Sequence, residues 1–348
     1  MAVTIREVAK AACVSTAAVS KVLHGRGNSV RVSDVRAAHI REIAESLNYR
    51  PNAVARNLRI RRTHAVGIIF ENFGSFANGP LYYMHLFEGV SGVLFKNHYR
   101  MTILAEIAHD DVLSSLGDGQ LDGVVWCKLT RDPESLALIH SCPIPIVAMN
   151  APAPTVPTEA VFVSCDNEGG IDLAVQHLVA LGHRRIAFLY ERQELDTPDR
   201  QARLEGFHDA MKARTGVDAT AEDVLEWDWL LPEFSGWWAA KPPHTAIICW
   251  SERTAGNLIL QATSAGLSLP GDLSIVGFDS TQYCETTTPR LTAVCQPIYE
   301  MAAAAATTLL ALIDGMPPIQ SSFTFPCTFD VRDSTTTPRS PLNAENPS

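Results

Sequence analysis

From residue 65 onward, short apolar runs alternate with longer stretches of helical periodicity. The runs are VGIIF (66–70), MTIL (101–104), GVVW (123–126), PIVAM (145–149), IAFLY (186–190), AIICW (246–250) and LSIVGF (273–278). Near-continuous apolar runs of this length, spaced by helical patterns, predict parallel strands covered by helices on both faces. Most are followed at once by polar residues: Glu71 and Asn72, Lys128 after Cys127, Asn150, Glu191, Ser251 and Glu252, and Asp279. In open parallel sheets a ligand sits beyond the carboxyl ends of the strands, so these positions can grip a small polar molecule. Each of them also suits a plain strand-ending or helix-capping group. Because the pattern occurs twice, it predicts two similar lobes with a cleft between them.

Before residue 51 the period is helical throughout. Thr4 and Glu7 have the spacing of a capping box, and Ile5, Val8, Ala9 and Ala12 then share one face. Ser15 is a good N-cap for a second helix whose Ala18, Val19, Val22 and Leu23 face inward. Two short helices joined by about three residues predict helix-turn-helix geometry. Ser33 can cap a third helix with an inner stripe of Val35, Ile40, Ile43, Ala44 and Leu47, and the three helices close a small core.

If the second helix enters a major groove, Thr16, Ala17, Ser20 and Lys21 meet base edges. Ala17 and the Thr16 methyl suit thymine methyls, and Lys21 can reach guanine acceptors. The same residues also fit ordinary exposed helix positions. Pro51 either stops the third helix or opens a new one, and residues 52–59 (NAVARNLR) make only about two turns, too few to be stable alone in water. Leu58 among Arg56, Arg59, Arg61 and Arg62 suits a minor-groove wedge that folds on binding, or a linker whose leucine packs on the body.

Charge sharpens this division. Residues 1–62 hold 12 Lys+Arg against 4 Asp+Glu, whereas the remainder holds 16 against 34. A whole-chain charge of −10 therefore hides a head of +8 and a body of −18. The head has the electrostatic footprint of a segment that neutralises phosphates, and a polyanion would repel the body. A solvated basic face is the plain alternative.

At 348 residues, with 46% hydrophobic and 19% charged, the chain predicts a soluble protein of two or three folding units. The start lacks a signal-peptide core, and no run of about 18 apolar residues occurs, which predicts a cytoplasmic protein with no membrane partner. The eight cysteines form no C-x-x-C pair and read as small buried apolar residues in a reducing compartment. No metal site and no cofactor is expected. No G-x-x-x-x-G-K-[ST], G-x-S-x-G or H-E-x-x-H motif occurs, which argues against an enzyme. The alternative is a sugar-binding or sugar-modifying enzyme carrying a DNA-binding head.

Several stretches, in this order, resemble the lac repressor and purine repressor family of bacterial transcription regulators. They are VTIREVAKAACVSTAAVSKVL, LNYRPNAVARNLR, LAVQHLVALGHRRIAFL, RLEGF, LSIVGFDS and LTAVCQP, and the likeness runs from about Val3 to Val331. The resemblance implies an α/β protein with an N-terminal all-α helix-turn-helix head and a two-lobed, doubly wound parallel-sheet body of the periplasmic-binding-protein type. It places the head at 1–50, a hinge helix and linker at 51–62, and the effector-binding and dimerisation body at 63–335. Within the body, lobe one takes about 63–163 and 296–325, and lobe two about 164–295 and 326–335. The implied function is a homodimeric regulator, a repressor, that binds a roughly palindromic double-stranded operator and is controlled by a small carbohydrate-like effector between the lobes.

Carried over by position, Thr16, Ala17 and Lys21 fall where the family reads bases, and Leu58 falls where a leucine is inserted at a central base step. Asn52 starts the hinge helix. With Thr4, Ser15, Ser20, Ala55 and Arg59 they make the expected DNA-binding set. Arg203 and Asp279 fall at the family's effector-contacting arginine and aspartate, and Phe73, Asn150, Ser251 and Gln296 complete the expected effector-binding set. Asn150 and Ser251 stand where Asp and Asn are common, which changes the donor and acceptor list. Cys13 replaces the usual turn glycine, and the loop before Ser33 is longer than common. Tyr82, Tyr83, Trp126 and Trp250, and the group Trp227, Trp229, Trp237 and Trp238, can be core or can stack on a sugar face. The polar, Pro-rich tail after Asp333, with 336–348 set apart as a terminal segment, is expected to be disordered, and its lack of leucine heptads favours a dimer over a tetramer.

Overall fold

The computed structural model describes residues 3–24, 31–50, 62–70, 81–105, 116–127, 137, 139, 141–150, 160–192, 197–228, 233–240 and 242–339. The chain divides into two compact units, Met1–Thr63 and His64–Ser348.

Among the described residues the first unit holds three helices: α1 (Ile5–Ala11), α2 (Thr16–His24) and α3 (Asp34–Ser46). Thr4 starts α1 through the expected capping box. Its Oγ1 accepts from the Glu7 N–H, while the Glu7 carboxylate accepts from the Thr4 N–H at 2.7 Å and from its hydroxyl at 2.9 Å. Those bonds hold the Glu7 carboxyl below the usual carboxylate range. Ser15 caps α2, its Oγ accepting from the Ala18 N–H at 3.2 Å. The turn between them needs Cys13 at φ +54°, a left-handed conformation that costs a side-chain-bearing residue about 1 kcal/mol. Val8, Ala9, Ala12, Ala18, Val19, Ile40 and Ala44 are buried together as the core.

Two expectations for α3 do not hold. Ser33 occupies the N-cap position but makes no side-chain capping bond. Val35 is 84% exposed. Five residues separate it from Ile40, which carries it about 140° around the helix and off the stripe that faces α1 and α2.

The second unit holds two six-stranded sheets. The first contains β1 (Ala65–Phe70), β2 (Arg100–Ala105), β3 (Gly123–Cys127), β4 (Ile146–Met149), β5 (Val161–Cys165) and β11 (Ser322–Phe325), in the order β11-β5-β4-β3-β1-β2. The second contains β6 (Ile186–Glu191), β7 (Val224–Trp227), β8 (Ala246–Cys249), β9 (Ser274–Asp279), β10 (Thr292–Cys295) and β12 (Thr328–Asp330), in the order β12-β10-β9-β8-β6-β7. Every pairing is parallel except that of β12 with β10. All seven expected runs are strands. Five further strands, β5, β7, β10, β11 and β12, lie where no run was singled out.

Around the first sheet pack α4 (Tyr82–Lys96) and α10 (Ile298–Ile313). The second lobe carries α5 (Asn167–Ala180), α6 (Pro198–Thr215), α7 (Glu233–Ala239), α8 (Glu252–Ser264) and the short α9 (Tyr283–Thr286). Helices α4 and α10 approach closely at Gly89, where a Cβ would stand 2.5 Å from the Tyr299 carbonyl oxygen and 2.7 Å from Ala302 Cβ. The chain crosses between lobes three times, after β5, after β10 and after β11. One apolar cluster runs from Val66 and Leu86 in the first lobe to Phe188 and Phe278 in the second.

The cysteines are more varied than expected. Cys127, Cys165, Cys249 and Cys284 are buried, but Cys13 is exposed and Cys142, Cys295 and Cys327 are half-buried. Cys165, Cys295 and Cys327 sit at the three crossings, and of these Cys295 and Cys327 are half-buried while Cys165 stays buried.

The tail expected to be disordered from residue 334 is packed as far as Arg339. Ser334 is 1% exposed, its Oγ accepting from the Thr292 N–H and donating to the Ile275 carbonyl. The Thr336 carbonyl accepts from His183 Nε2 at 2.8 Å, and the Arg339 guanidinium lies 4.7 Å over the Trp238 ring. Hydrogen bonds to the starts of β9 and β10 hold this polar segment. Residues 340–348 lie outside the described residues.

Candidate functional site

On the first unit, the start of α2 presents Thr16 and Ala17 to solvent, with Ser20 and Lys21 half-buried beside them. Its first turn holds no acidic residue, so no carboxylate there offsets the partial positive charge of the helix N-terminus. Thr4 and Ser15 are exposed, but their hydroxyls are already engaged in capping. Asn52, Ala55, Leu58 and Arg59 lie outside the described residues.

In the second unit the strand ends of the second lobe converge on Arg203. This arginine sits on α6, whose N-cap Thr197 accepts from the Arg200 N–H and whose first residue is Pro198. Arg203 is 3% exposed. Its Nε donates to Asn167 Oδ1 at 2.8 Å, and Nη1 donates to the Trp250 carbonyl at 2.6 Å. The guanidinium lies 3.5 Å from the centre of the Phe278 ring and 4.7 Å from that of Trp250. Two carboxylates flank it, Asp279 on Nη1 and Asp199 on Nη2, each at 3.9 Å. A buried cation is tolerable here because it is paired, hydrogen-bonded and stacked at once.

Asp279 ends β9 at φ +98° and accepts from Gln296 Nε2 at 2.5 Å. Behind it, Glu252 is 2% exposed and accepts from the Thr281 N–H at 2.7 Å and the Thr281 hydroxyl at 2.5 Å. Burial, and next the nearby Asp279 charge, push the Glu252 carboxyl up to about 7 against the pull of the Thr281 bonds. From the first lobe, Asn150 donates its side-chain N–H to the Tyr82 hydroxyl. Burial holds the Tyr82 phenol well above its ordinary range, and the charges of Asp279 and Asp199 reach it across the cleft and add to that shift. His85 Nε2 and Gln282 Oε1, 2.8 Å apart, bridge the two lobes. Beside them opens a recess of about 290 Å³ that reaches Asp279 and Gln296.

Among the described residues, three buried polar atoms around Arg203 have no hydrogen-bond partner: Asp199 Oδ1, Trp250 Nε1 and Gln296 Oε1. Leaving such groups unpaired costs about 1–3 kcal/mol each, so a cleft carrying three of them is arranged for something that pairs with them. They comprise two acceptors and one donor beside aromatic faces. Among the described residues, no group of three His, Cys, Asp or Glu side chains can hold a metal ion.

Of the expected effector set, Arg203, Asp279 and Gln296 meet here. Asn150 lies on the opposing lobe. Ser251 is the N-cap of α8, its Oγ accepting from the Thr254 N–H at 3.1 Å, and it adjoins Trp250. Phe73 lies outside the described residues. Asp199 and Asn167 were not expected at the site, and Tyr82, expected as core or as a sugar-stacking ring, meets Asn150 through its hydroxyl; Asp199 carries a readable signal, four residues before Arg203 on a helix opened by Thr-Pro. Trp227, Trp237 and Trp238 pack with Phe234 in and against the second lobe's own core. Trp126 is buried in the first lobe.

A family profile described as "Bacterial regulatory proteins, lacI family" matches residues 4–52, and one described as "Periplasmic binding protein-like domain" matches residues 175–335. Catabolite control protein A of Priestia megaterium is 30% identical over 316 residues, spanning 88% of this chain and 91% of its own. The chain belongs to the lacI family of bacterial regulatory proteins. As a member, it is a DNA-binding transcriptional regulator with a sugar-binding-type domain, and its relatives are regulators rather than enzymes. Two solved structures of similar fold bracket this regulator. The complex titled "transcriptional regulator CelR-cellobiose complex" has a TM-score of 0.70 at 25% identity, covering 96% of this chain and 100% of that one. A lac repressor dimer bound to operator and the anti-inducer ONPF has a TM-score of 0.81 at 21% identity, covering 97% and 100%. No helix among the described residues is long and apolar enough to cross a membrane.

Proposed function

We propose that this regulator is a homodimeric, cytoplasmic repressor that binds a near-palindromic operator and releases or tightens on it when a sugar or sugar derivative enters the interlobe cleft. The observation that carries the effector reading is the trio of unpaired buried atoms, Asp199 Oδ1, Trp250 Nε1 and Gln296 Oε1, around an arginine stacked between Phe278 and Trp250. A ligand with several hydroxyls on a compact ring can donate to the two acceptors, accept from the indole and the guanidinium, and lay an apolar face on an aromatic ring.

Base reading falls to Thr16, Ala17, Ser20 and Lys21 on α2, with the phosphates held by the +8 head and a wedge supplied by Leu58. Asn52, Ala55 and Arg59 complete the hinge contacts. Apolar side chains exposed at α4 and on the edge strand β2, among them Met84, Phe95 and Ile103, support the homodimer. Ligand closure about the three crossings biases the heads, with a coupling of about 1–3 kcal/mol between the two sites.

The experiment is selection of genomic fragments by the full-length protein, then anisotropy titration of the enriched fragment with a panel of sugars. A symmetric sequence should be enriched, at least one sugar should change its affinity, and the sugar should be recovered chemically unchanged. Equal affinity at 50 and 200 mM salt would overturn the phosphate-contact reading. Turnover of the sugar would favour the enzyme alternative.

A further inference from the structure

We propose that Asp199 is a specificity-determining residue that tunes the cleft for neutral, hydroxyl-bearing ligands and against anionic ones such as sugar phosphates and sugar acids. The inference rests on the carbohydrate reading given above.

Asp199 is the second residue of α6 and is 5% exposed. One of its oxygens, Oδ2, lies 3.9 Å from Arg203 Nη2, and the other, Oδ1, has no partner. A carboxylate oxygen only accepts, so what completes it must donate. A sugar hydroxyl donates; an ionised phosphate or carboxylate at neutral pH does not.

The local charge leads to the same selection. Arg203 is the cation at the centre, and Asp199 and Asp279 both flank it at the same distance. Two carboxylates therefore meet one guanidinium, and the excess negative field reaches Tyr82 across the cleft and Glu252 behind it. An anionic ligand must either displace a carboxylate from Arg203 or sit in that field unpaired. A neutral ligand meets neither obstacle.

A merely structural Asp199, one that only braces Arg203, predicts something different. Changing it to the isosteric amide would then loosen the arginine, lower the melting temperature of the ligand-free protein and weaken every ligand alike.

The test uses the full-length protein, calorimetry and thermal shift. The ligands are neutral pentoses, hexoses and disaccharides, together with the 6-phosphate and the uronic acid of each one that binds. The unaltered protein should bind the neutral member at least about tenfold more tightly than its anionic counterparts, the scale of one like-charge contact. D199N should shrink that preference about tenfold or more without lowering the melting temperature of the ligand-free protein, and D199A should do the same if the amide rebuilds a contact. An unchanged preference in both variants, or a structural loss of the kind just described, overturns the inference. Binding by the anionic members alone overturns the selectivity while leaving the carbohydrate reading intact, and no response to any member of either set overturns both.

Discussion

Gln296 donates its side-chain N–H to Asp279 Oδ1 at 2.5 Å, tying the carboxylate that ends β9 to the crossing that carries the chain from β10 into α10. A ligand group that pairs with Gln296 Oε1 therefore pulls on one of three connections between lobes. Q296A should keep operator affinity, because nothing in the head changes, but should lose the effect of sugar on that affinity. The expected coupling is about 5- to 150-fold in the unaltered protein and near unity in the variant. Anisotropy titrations of labelled operator with and without saturating sugar measure it, and an undiminished response would remove Gln296 from the transmission path.

Glu252 gives the body a pH dependence with a definite sign. Its carboxyl is raised from 4.5 to about 7 by burial and by Asp279. Below pH 4.5 the group is neutral in folded and unfolded chains alike; as pH rises the unfolded chain ionises first. Stability from this group is therefore full in acid and lost as pH climbs through about 7, by on the order of 3 kcal/mol. E252Q should flatten that window. Urea midpoints of both proteins at pH 5 and pH 8 check it: the unaltered protein should lose more than the variant on going to pH 8, and parallel losses would show that the carboxyl ionises freely.

Gly89 is where the two helices over the first sheet come closest. An added Cβ would stand 2.5 Å from a backbone oxygen of Tyr299 and 2.7 Å from Ala302 Cβ, neither of which can swing aside. G89A should cost about 1–3 kcal/mol through overpacking, more than its gain in helix propensity returns. A melting temperature equal to or above that of the unaltered protein would mean that α4 and α10 slide apart without loss.

How much of this was legible beforehand depended on what kind of signal each residue carries. The seven apolar runs read as strands because they are near-continuously apolar; most are buried on both faces and need no alternation, and β2, an edge strand with Thr102 and Ile103 exposed, is the exception. Strand β7 alternates, with Leu225 and Trp227 buried and Glu226 exposed, and at four residues is too short to stand out; β11 and β12 are edge strands with no buried residue. Val35 was misplaced because apolar character suggests an inner face, whereas the angle from Ile40 decides it. At the cleft, Arg203, Asp279 and Gln296 came from motifs in the chain. Asp199 acts beside Arg203, four residues on along α6, whereas Tyr82 gains its role from a partner far away in sequence. Tyr82 bonds with Asn150, 68 residues on, a pairing that no local pattern announces.

The segment after Asp333 shows the same limit in reverse, and it can be tested directly. Its composition of Ser, Thr and Pro suggested disorder, yet Ser334 Oγ serves two buried backbone groups, the Thr292 N–H and the Ile275 carbonyl. S334A leaves both without a partner, which should cost about 1–3 kcal/mol for each group that water cannot reach. His183 adds a second anchor through the Thr336 carbonyl, and burial pushes its imidazole below the usual range, so it donates to that carbonyl as a neutral ring near neutral pH. Stopping the chain after Asp333 should therefore destabilise the second lobe at least as much as S334A does. Limited proteolysis should cut beyond residue 339 well before it cuts within 334–339. Early cleavage inside that stretch, or a truncated protein that melts at the full-length temperature, would mean that the polar strap contributes nothing to the lobe it lies on.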